Sequence, residues 1–114
     1  MANSFLSETD TGIGTSPATV FTCPSATEVT IIGLSVANIE SSQITVDVQL
    51  DASGRTSGAE DSVYLVKAAP IPVGGALVVI GGDQKVVMEP GDAIKVTSDT
   101  AASADVVLSH LDIT

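Results

Sequence analysis

The sequence predicts an all-β protein, an antiparallel two-sheet β-sandwich that is jelly-roll-like and has about eight short strands. Hydrophobic residues make up 44% of the chain, yet there is no Trp, one Tyr and two Phe. The rest are mainly Val, Ile, Leu and Ala, and β-branched residues fit a pleated, half-buried surface. Short apolar runs alternate with Gly, Pro and Asp turn signals at the spacing of sandwiches. No segment carries a helical apolar stripe over more than two turns.

The chain has the length of one domain. Its 114 residues are too few for two domains of ordinary size. We expect the sandwich to span residues 18–114 and residues 1–17 to form an extended N-terminal arm, because Ser, Thr, Asn and Gly dominate there. Phe5 and Leu6 form an apolar pair within this polar tail. They are either incidental or an anchor that docks on a partner, which makes them the candidate partner-contact residues.

The first half of the domain contains three predicted strands. Ala18–Cys23 ends at a proline, which cannot donate to a ladder. Glu28–Asn38 is apolar on both faces, and Gly33 within it indicates a bulge or a close backbone approach. Gln43–Leu50 alternates between apolar and polar residues, as a strand with one solvated face does. Asp51–Ser62 then has the composition of a long flexible loop.

The second half contains five more predicted strands, separated by small and turn-forming residues. Pro70–Gly75 is an extended turn segment, and a loop of small residues precedes the last strand. These strands are Val63–Ala69, Leu77–Ile80, Lys85–Met88, Ile94–Ser98 and Asp105–Ile113.

Two tight turns are predicted between these strands. In Glu89-Pro90-Gly91-Asp92, Pro presets φ at the second position and Gly accepts the positive φ that a type II turn needs at the third. This pattern predicts a strand, a reversal and a strand over Lys85–Thr97. Gly81-Gly82-Asp83 is likewise expected to reverse Leu77–Ile80 into Lys85–Met88 as a short hairpin loop.

The charge balance excludes two classes of partner. The net charge is −10, and the four basic residues, Arg55, Lys67, Lys85 and Lys95, are scattered along the chain. Nucleic-acid binding needs a basic surface that neutralises phosphates, and an anionic membrane repels an acidic chain. We therefore expect neither nucleic acid nor a membrane as partner. The start has no signal-peptide pattern and no apolar run reaches membrane-spanning length, so synthesis in a cytoplasm is expected.

Few residues in this sequence point to a catalytic site. Two carboxylates could meet in space and act as acid and base, but the acidic residues lie mainly in turns and on polar strand positions, which favours solvated faces. His110 is the single His, so a His-rich metal site is excluded, and we expect it to be a polar residue on the last strand. Cys23 is the single Cys, so no internal disulfide can form; its place before Pro24 favours a small core or edge residue over a nucleophile. Gly12-Ile13-Gly14 lacks the third glycine and the helix of a dinucleotide site. We expect no enzyme, no cofactor and no metal.

Three strands have more apolar residues than a sandwich needs. Residues 29–36, 77–80 and 86–88 are apolar on both faces, whereas a sandwich strand buries one face and wets the other. Exposed apolar patches mark interfaces, so we expect self-association. The alternative is that these strands are central and covered by loops.

Four segments in order carry a family resemblance. They resemble small all-β structural proteins of tailed bacteriophages, especially marine and cyanobacterial ones, over roughly residues 18–114. The resemblance implies a virion component without enzymatic activity, and its matching positions are turn and core residues. The segments are Val20-Phe21-Thr22-Cys23-Pro24, Ile31-Ile32-Gly33-Leu34-Ser35-Val36-Ala37-Asn38, Pro70-Ile71-Pro72-Val73-Gly74-Gly75 and Met88-Glu89-Pro90-Gly91-Asp92-Ala93-Ile94-Lys95-Val96.

We therefore predict a capsid decoration (cement) protein, made in the host cytoplasm and located in the virion. Its expected partners are further copies of itself, with a trimer preferred from the resemblance, and the major capsid protein or another virion protein. The arm would become ordered on the virion with Phe5 and Leu6 buried. A neck or tail structural protein is the alternative. A sugar-binding β-sandwich module is an alternative from another class, for which Tyr64 is nearly the only aromatic candidate.

Overall fold

The fold consists of two antiparallel sheets. The computed structural model describes residues 3–55, 62–81 and 83–114, and these ranges contain nine strands and no helix, hence none that could cross a membrane. This confirms the predicted all-β sandwich, with one strand more than expected. The strands are β1 (Asn3–Ile13), β2 (Ala18–Thr22), β3 (Glu28–Asn38), β4 (Ile44–Asp51), β5 (Val63–Ile71), β6 (Ala76–Ile80), β7 (Val86–Met88), β8 (Ala93–Ser98) and β9 (Ala104–Ile113).

The strand order is that of a jelly-roll-like sandwich. The front sheet has the order β1-β9-β3-β6, with β7 also paired to β3, and the back sheet has the order β2-β8-β4-β5. Most neighbours within a sheet are remote in sequence, so the chain passes repeatedly from one sheet to the other.

The core lies between the two sheets and is built from alternate residues. In β3 the inward side chains are Val29 and Ile31, then Leu34 and Val36, so the phase shifts by one residue in between. The β3–β9 register shifts between Ile31 and Gly33, which confirms the predicted bulge. Because one extra residue moves a strand's side chains to the opposite face, the bulge keeps both halves of β3 apolar toward the core.

The N-terminus differs from its prediction. The extended arm expected for residues 1–17 is instead, over Asn3–Ile13, an edge strand paired with β9. Its side chains are mostly exposed, and only Ile13 belongs to the core. An uncovered strand edge has free N–H and C=O groups, and a polar segment can satisfy them through its backbone alone. The absence of apolar periodicity therefore did not exclude pairing.

The predicted hairpin at Gly81–Asp83 was wrong. Both β6 and β7 pair antiparallel with β3, β6 along Leu34–Ala37 and β7 along Val29–Ile31. They are therefore successive pieces of one interrupted edge strand and run in the same direction. Gly82 itself lies outside the described residues, as do residues 56–61 of the predicted loop Asp51–Ser62.

The Glu89–Asp92 turn has the predicted local geometry but a different role. Gly91 has φ of 94°, and the Asp92 N–H donates to the Glu89 carbonyl at 2.9 Å, as in a type II turn. The strands on its two sides do not pair with each other, because β7 belongs to the front sheet and β8 to the back sheet. The turn is thus a corner that joins the two sheets.

A buried carboxylate holds this corner. Asp92 is fully buried and accepts two hydrogen bonds from the Arg55 guanidinium, from Nε at 3.0 Å and from Nη2 at 2.6 Å. It also accepts one from the Glu89 N–H at 3.1 Å. Burial raises the pKa of Asp92, but these hydrogen bonds and the Arg55 charge outweigh it and hold the pKa below its usual value.

Replacing Gly91 should unfold the corner. A Cβ at Gly91 would lie 2.1 Å from the Gly54 carbonyl oxygen, and the backbone would have to move. We expect Gly91→Ala to lower the free energy of unfolding by about 3 kcal/mol or more. Gly74→Ala is the matched control, because Gly74 has φ of 74° but nothing within 4 Å; it should cost only about 1–2 kcal/mol. The two free energies of unfolding are measured by urea denaturation. If Gly91→Ala and Gly74→Ala lower them equally, the close approach of Gly91 to Gly54 does not matter for stability.

Protonation of the Asp92 carboxylate should cause part of the loss of stability at low pH. Because its folded pKa is lowered, it stabilises the protein above its unfolded pKa of about 3.9, and this stability is lost as the pH falls from there through the folded pKa. Asp92→Asn should cost about 3 kcal/mol at neutral pH, because it removes the buried negative charge to which the Arg55 guanidinium donates two hydrogen bonds. Between about pH 5 and 2, the free energy of unfolding should then fall less for Asp92→Asn than for the wild type. If chemical denaturation gives the wild type and Asp92→Asn the same dependence of unfolding free energy on pH, this role of Asp92 is refuted.

Candidate functional site, the outer face of the front sheet

The outer face of the front sheet carries three rows of residues that contain no charge. One row runs across four strands as Phe5, Leu111, Thr30 and Val87, in β1, β9, β3 and β7. Two further rows lie parallel to it. We call these eleven residues the uncharged face; the other rows are Ser7–Ser109–Gly33 and Thr9–Val107–Ser35–Val78.

Large apolar side chains on this face are exposed. Phe5 is 75% exposed, Val78 67% and Val87 64%, and each comes from a different strand. Among the described residues that are paired in the ladders of β3 with β9, the outward charged ones lie beyond the two ends of the rows, where Glu28 pairs with Ile113 and Asp105 pairs with Ala37. A partner could therefore cover the rows without burying a carboxylate, which is the costly step for an acidic protein.

The three strands predicted to be apolar on both faces all belong to this sheet. They correspond to β3, β6 and β7, and β6 and β7 lie end to end along β3. The inward residues Ile80 and Met88 fill the core, whereas the outward residues Val78 and Val87 face away from it. No loop among the described residues buries these two valines. The sequence therefore located the exposed apolar residues of β6 and β7. The prediction was wrong for β3, because its bulge turns the apolar side chains of both halves inward and leaves Thr30, Gly33 and Ser35 outward.

An open hollow of about 440 Å³ lies at one end of the uncharged face. Thr9, Ser35 and Val107 contribute to its lining, together with Thr11 and Asp105. The Thr11 hydroxyl donates to the Asp105 carboxylate, so this polar pair is already satisfied within the chain. Because Asp10 and Asp105 both line the hollow, a partner that filled it would cover carboxylates, so the hollow marks the boundary of the uncharged face.

The outer face of the back sheet is different, because ion pairs cross it. Asp51 lies 2.7 Å from Lys95, and Asp47 lies 3.5 Å from Lys67. The hydrogen bond from Lys95 is the largest cause that holds the pKa of Asp51 well below its usual range. Tyr64 is half exposed, and the Lys67 ammonium lies over its ring at 4.7 Å from the centroid. One face of the candidate sugar-stacking ring is therefore covered.

The two candidate contact residues point to opposite sides of β1. Phe5 is paired with Leu111 and lies on the uncharged face. Leu6 is paired with the buried His110 and is 48% exposed at the rim of the sandwich. Successive residues of a strand alternate between faces, so one flat partner cannot cover both. Phe5 belongs to the candidate site and Leu6 does not.

His110 lies in the core rather than on the surface. It is on the last strand, as predicted, but its side chain is fully buried. Its Nε2 lies 3.0 Å from a Glu8 carboxylate oxygen, and its Nδ1 contacts Asp112. The ring stacks on Phe21 with centroids 4.2 Å apart. These contacts form the His110 cluster (Glu8, His110, Asp112), which ties β1 to β9 through side chains. The apolar alternation of Val106 and Leu108 was the sequence signal that His110 faces inward.

The described residues do not form a metal-binding cluster. They contain no group of three or more His, Cys, Asp or Glu side chains that could hold a metal ion. Cys23 is a core residue, as expected. Burial, together with the charges of Asp92 and Asp112, raises the pKa of its thiol to about 11. At neutral pH it is therefore a protonated thiol and a poor nucleophile.

Comparison with known proteins shows the fold and no family. No protein-family model matches this chain, and no curated protein matches it. A solved structure described as "Bacillus endospore appendages form a novel family of disulfide-linked pili" is similar to it, with a TM-score of 0.54 and 11% sequence identity. The match covers 99% of this chain and 87% of that chain. At this identity the likeness supports the β-sandwich architecture alone.

The contact between Glu8 and His110 should hold the N-terminal part of β1 in place. We expect Glu8→Ala to speed amide hydrogen exchange in Asn3–Asp10 by roughly five- to tenfold, since the lost contact is partly exposed and worth about 1 kcal/mol. Exchange in the central strand β3 should not change. Thr9→Ala, on the other side of the strand, is the control. Uniform acceleration throughout the chain would show a general loss of stability instead.

Proposed function

We propose that this protein is a non-enzymatic structural subunit that associates with itself and with a larger assembly through the uncharged face. The observation that carries the proposal is the set of three rows without charge on a chain of net charge −10. Copies of such a chain repel each other at most orientations. Contact through the uncharged face keeps the carboxylates in water and covers exposed apolar side chains.

The size of this face favours repeated weak contacts. Strands about 4.8 Å apart and rows about 7 Å apart give it roughly 400 Å². A standard stable interface buries about 800 Å² on each partner. One contact through this face is therefore weak, whereas many copies on one particle would be held durably by effective concentration. This is the physical requirement for a protein that coats or builds a large assembly.

The specific assembly that we propose is the capsid of a tailed bacteriophage, with this chain as a decoration protein on the major capsid protein. The support for it is the sequence resemblance over residues 18–114, and three-fold association on the capsid rests on the same resemblance. The virion would then be its location. No residue of the uncharged face is charged, so protein rather than nucleic acid is the partner.

A subunit of a surface filament is the second candidate. It is supported by the similarity to a structure described as a pilus. That description speaks of disulfide-linked pili, whereas the single Cys of this chain is buried. A filament of this protein would therefore be held by non-covalent contacts.

Adding charge to the uncharged face should prevent association. Val78→Asp and Val87→Asp each place a carboxylate where a partner would cover it, and each should shift the protein toward monomer in sedimentation velocity, with at least a tenfold weaker association constant. Val73→Asp is the matched control, because Val73 is 58% exposed in the β5–β6 connection, outside this face. The proposal is wrong if all three variants associate equally, or if the wild type remains monomeric at high micromolar concentration.

The location can be tested by quantitative mass spectrometry of purified particles. Hundreds of copies per virion would support capsid decoration, and about a dozen or fewer would favour a neck or tail protein. Absence from virions, together with fibres of the purified protein in electron micrographs, would support the filament instead.

A further inference from the structure

We propose that the exchange segment, Asn3–Asp10 of β1, pairs in the assembled state with β9 of a neighbouring copy rather than with its own β9. This proposal extends the self-association proposed above and rests on it. It assigns a specific occupant, the same segment of a second chain, to the edge of the front sheet.

The exchange segment contributes nothing to the buried core. All eight of its residues are exposed or half-buried, and the first core residue of β1 is Ile13. The eight residues form a continuous ladder with β9, from Asn3 opposite Ile113 to Asp10 opposite Val106. Removing the segment would therefore uncover a strand edge and leave the core between the sheets intact.

A natural hinge lies directly after the segment. The β1–β9 register shifts between Asp10 and Ile13, and Gly12 lies between them with φ of 66° and no atom near the position of a Cβ. Beyond the hinge the chain is fixed again. The Ile13 carbonyl accepts a hydrogen bond from the Ser103 N–H at 2.9 Å, and the Gly14 carbonyl accepts one from the Ser98 N–H at 2.8 Å. The segment can therefore swing out while the chain beyond the hinge keeps its place.

The edge of β9 is a specific receptor for this segment. It offers backbone groups in a defined register and, inside the rim, the buried His110 that contacts Glu8. A segment from a second copy makes the same ladder and the same Glu8–His110 contact. Exchange thus conserves the contacts and changes only which chain supplies them. Which segment occupies the edge of β9 is decided by two effective concentrations, that of the neighbour's segment and that of the chain's own segment.

A neighbour docked on the uncharged face is within reach. Sheets packed face to face are about 10 Å apart. All eight residues of the segment are used in the ladder, so the hinge must cross this gap, and the three residue steps from Asp10 to Ile13 span up to about 11 Å when extended. The segment also carries Phe5, which lies on the uncharged face. The two contacts are therefore adjacent, and exchange would make durable an interface that is small by itself.

The test uses cysteine pairs placed on separate chains. Ser7 and Ser109 lie directly opposite each other in the β1–β9 ladder. We expect co-expressed Ser7→Cys and Ser109→Cys chains, one carrying a size tag, to give a disulfide-linked heterodimer on mild oxidation with oxidised glutathione. Ser7→Cys/Ser109→Cys within one chain must form its bond as well, which establishes that the pair can react. The wild-type protein, whose single thiol is Cys23, shows how much disulfide-linked dimer forms without the introduced cysteines.

A second pair separates exchange from simple face-to-face contact. Ser35 and Val107 are opposite each other in β3 and β9 on the same uncharged face, but both strands supply core residues and cannot exchange without unfolding. Heterodimers from Ser7→Cys plus Ser109→Cys, with several-fold fewer from Ser35→Cys plus Val107→Cys, would support exchange. Equal yields would overturn exchange and leave association through the face. If the protein is oligomeric but the Ser7→Cys and Ser109→Cys chains give no heterodimer, exchange is overturned and self-association stands. If the protein is monomeric and gives no heterodimer, both proposals are overturned.

Discussion

The ladder between β3 and β9 is the constraint on which the rest of the structure depends. It occupies the middle of the front sheet, and every other strand of that sheet pairs with one of its two members. The bulge between Ile31 and Gly33 allows both halves of β3 to face the core. With the inward positions filled, the outward positions of β3 and β9 are fixed as well, since the side chains alternate. The uncharged face is therefore a consequence of the same register that builds the core.

The corner at Glu89–Asp92 shows how the two sheets are kept together at one end. Asp92 is buried with Arg55, and the desolvation of such a pair often cancels its attraction. Its contribution is geometric: the carboxylate binds the turn backbone and the guanidinium at once, and the Asp92 carbonyl accepts from the Cys23 N–H at 2.8 Å. Three separate segments of the chain are thereby held at one point. A hydrophobic replacement could pack there and would keep the backbone bond to Cys23, but it could not accept from the Arg55 guanidinium or from the Glu89 N–H.

The parts of the fold that the sequence predicted are those that depend on local geometry. The bulge at Gly33 and the type II turn at Glu89–Asp92 arise from the backbone angles that Gly and Pro allow at single positions. The partner of each strand was not predictable in this way, because a turn determines backbone angles and not the sheet that the next strand joins. Strand β1 was missed because backbone pairing leaves no side-chain pattern. The Glu8–His110 contact joins residues 102 positions apart, so it becomes visible only once the topology is known.

The distribution of charge connects this fold to assembly. An acidic chain stays soluble because its copies repel each other, and that repulsion would oppose any close packing of copies. This repulsion is smallest at the front sheet, because its three middle rows carry no charge. The charged residues of the back sheet include Asp47, Asp51, Lys67 and Lys95. In the association that we propose, approach is thereby allowed in one orientation and disfavoured in the others, so specificity would come from where charge is absent. A small contact of this kind would form and break easily, so copies could correct their positions before the proposed strand exchange made the assembly durable.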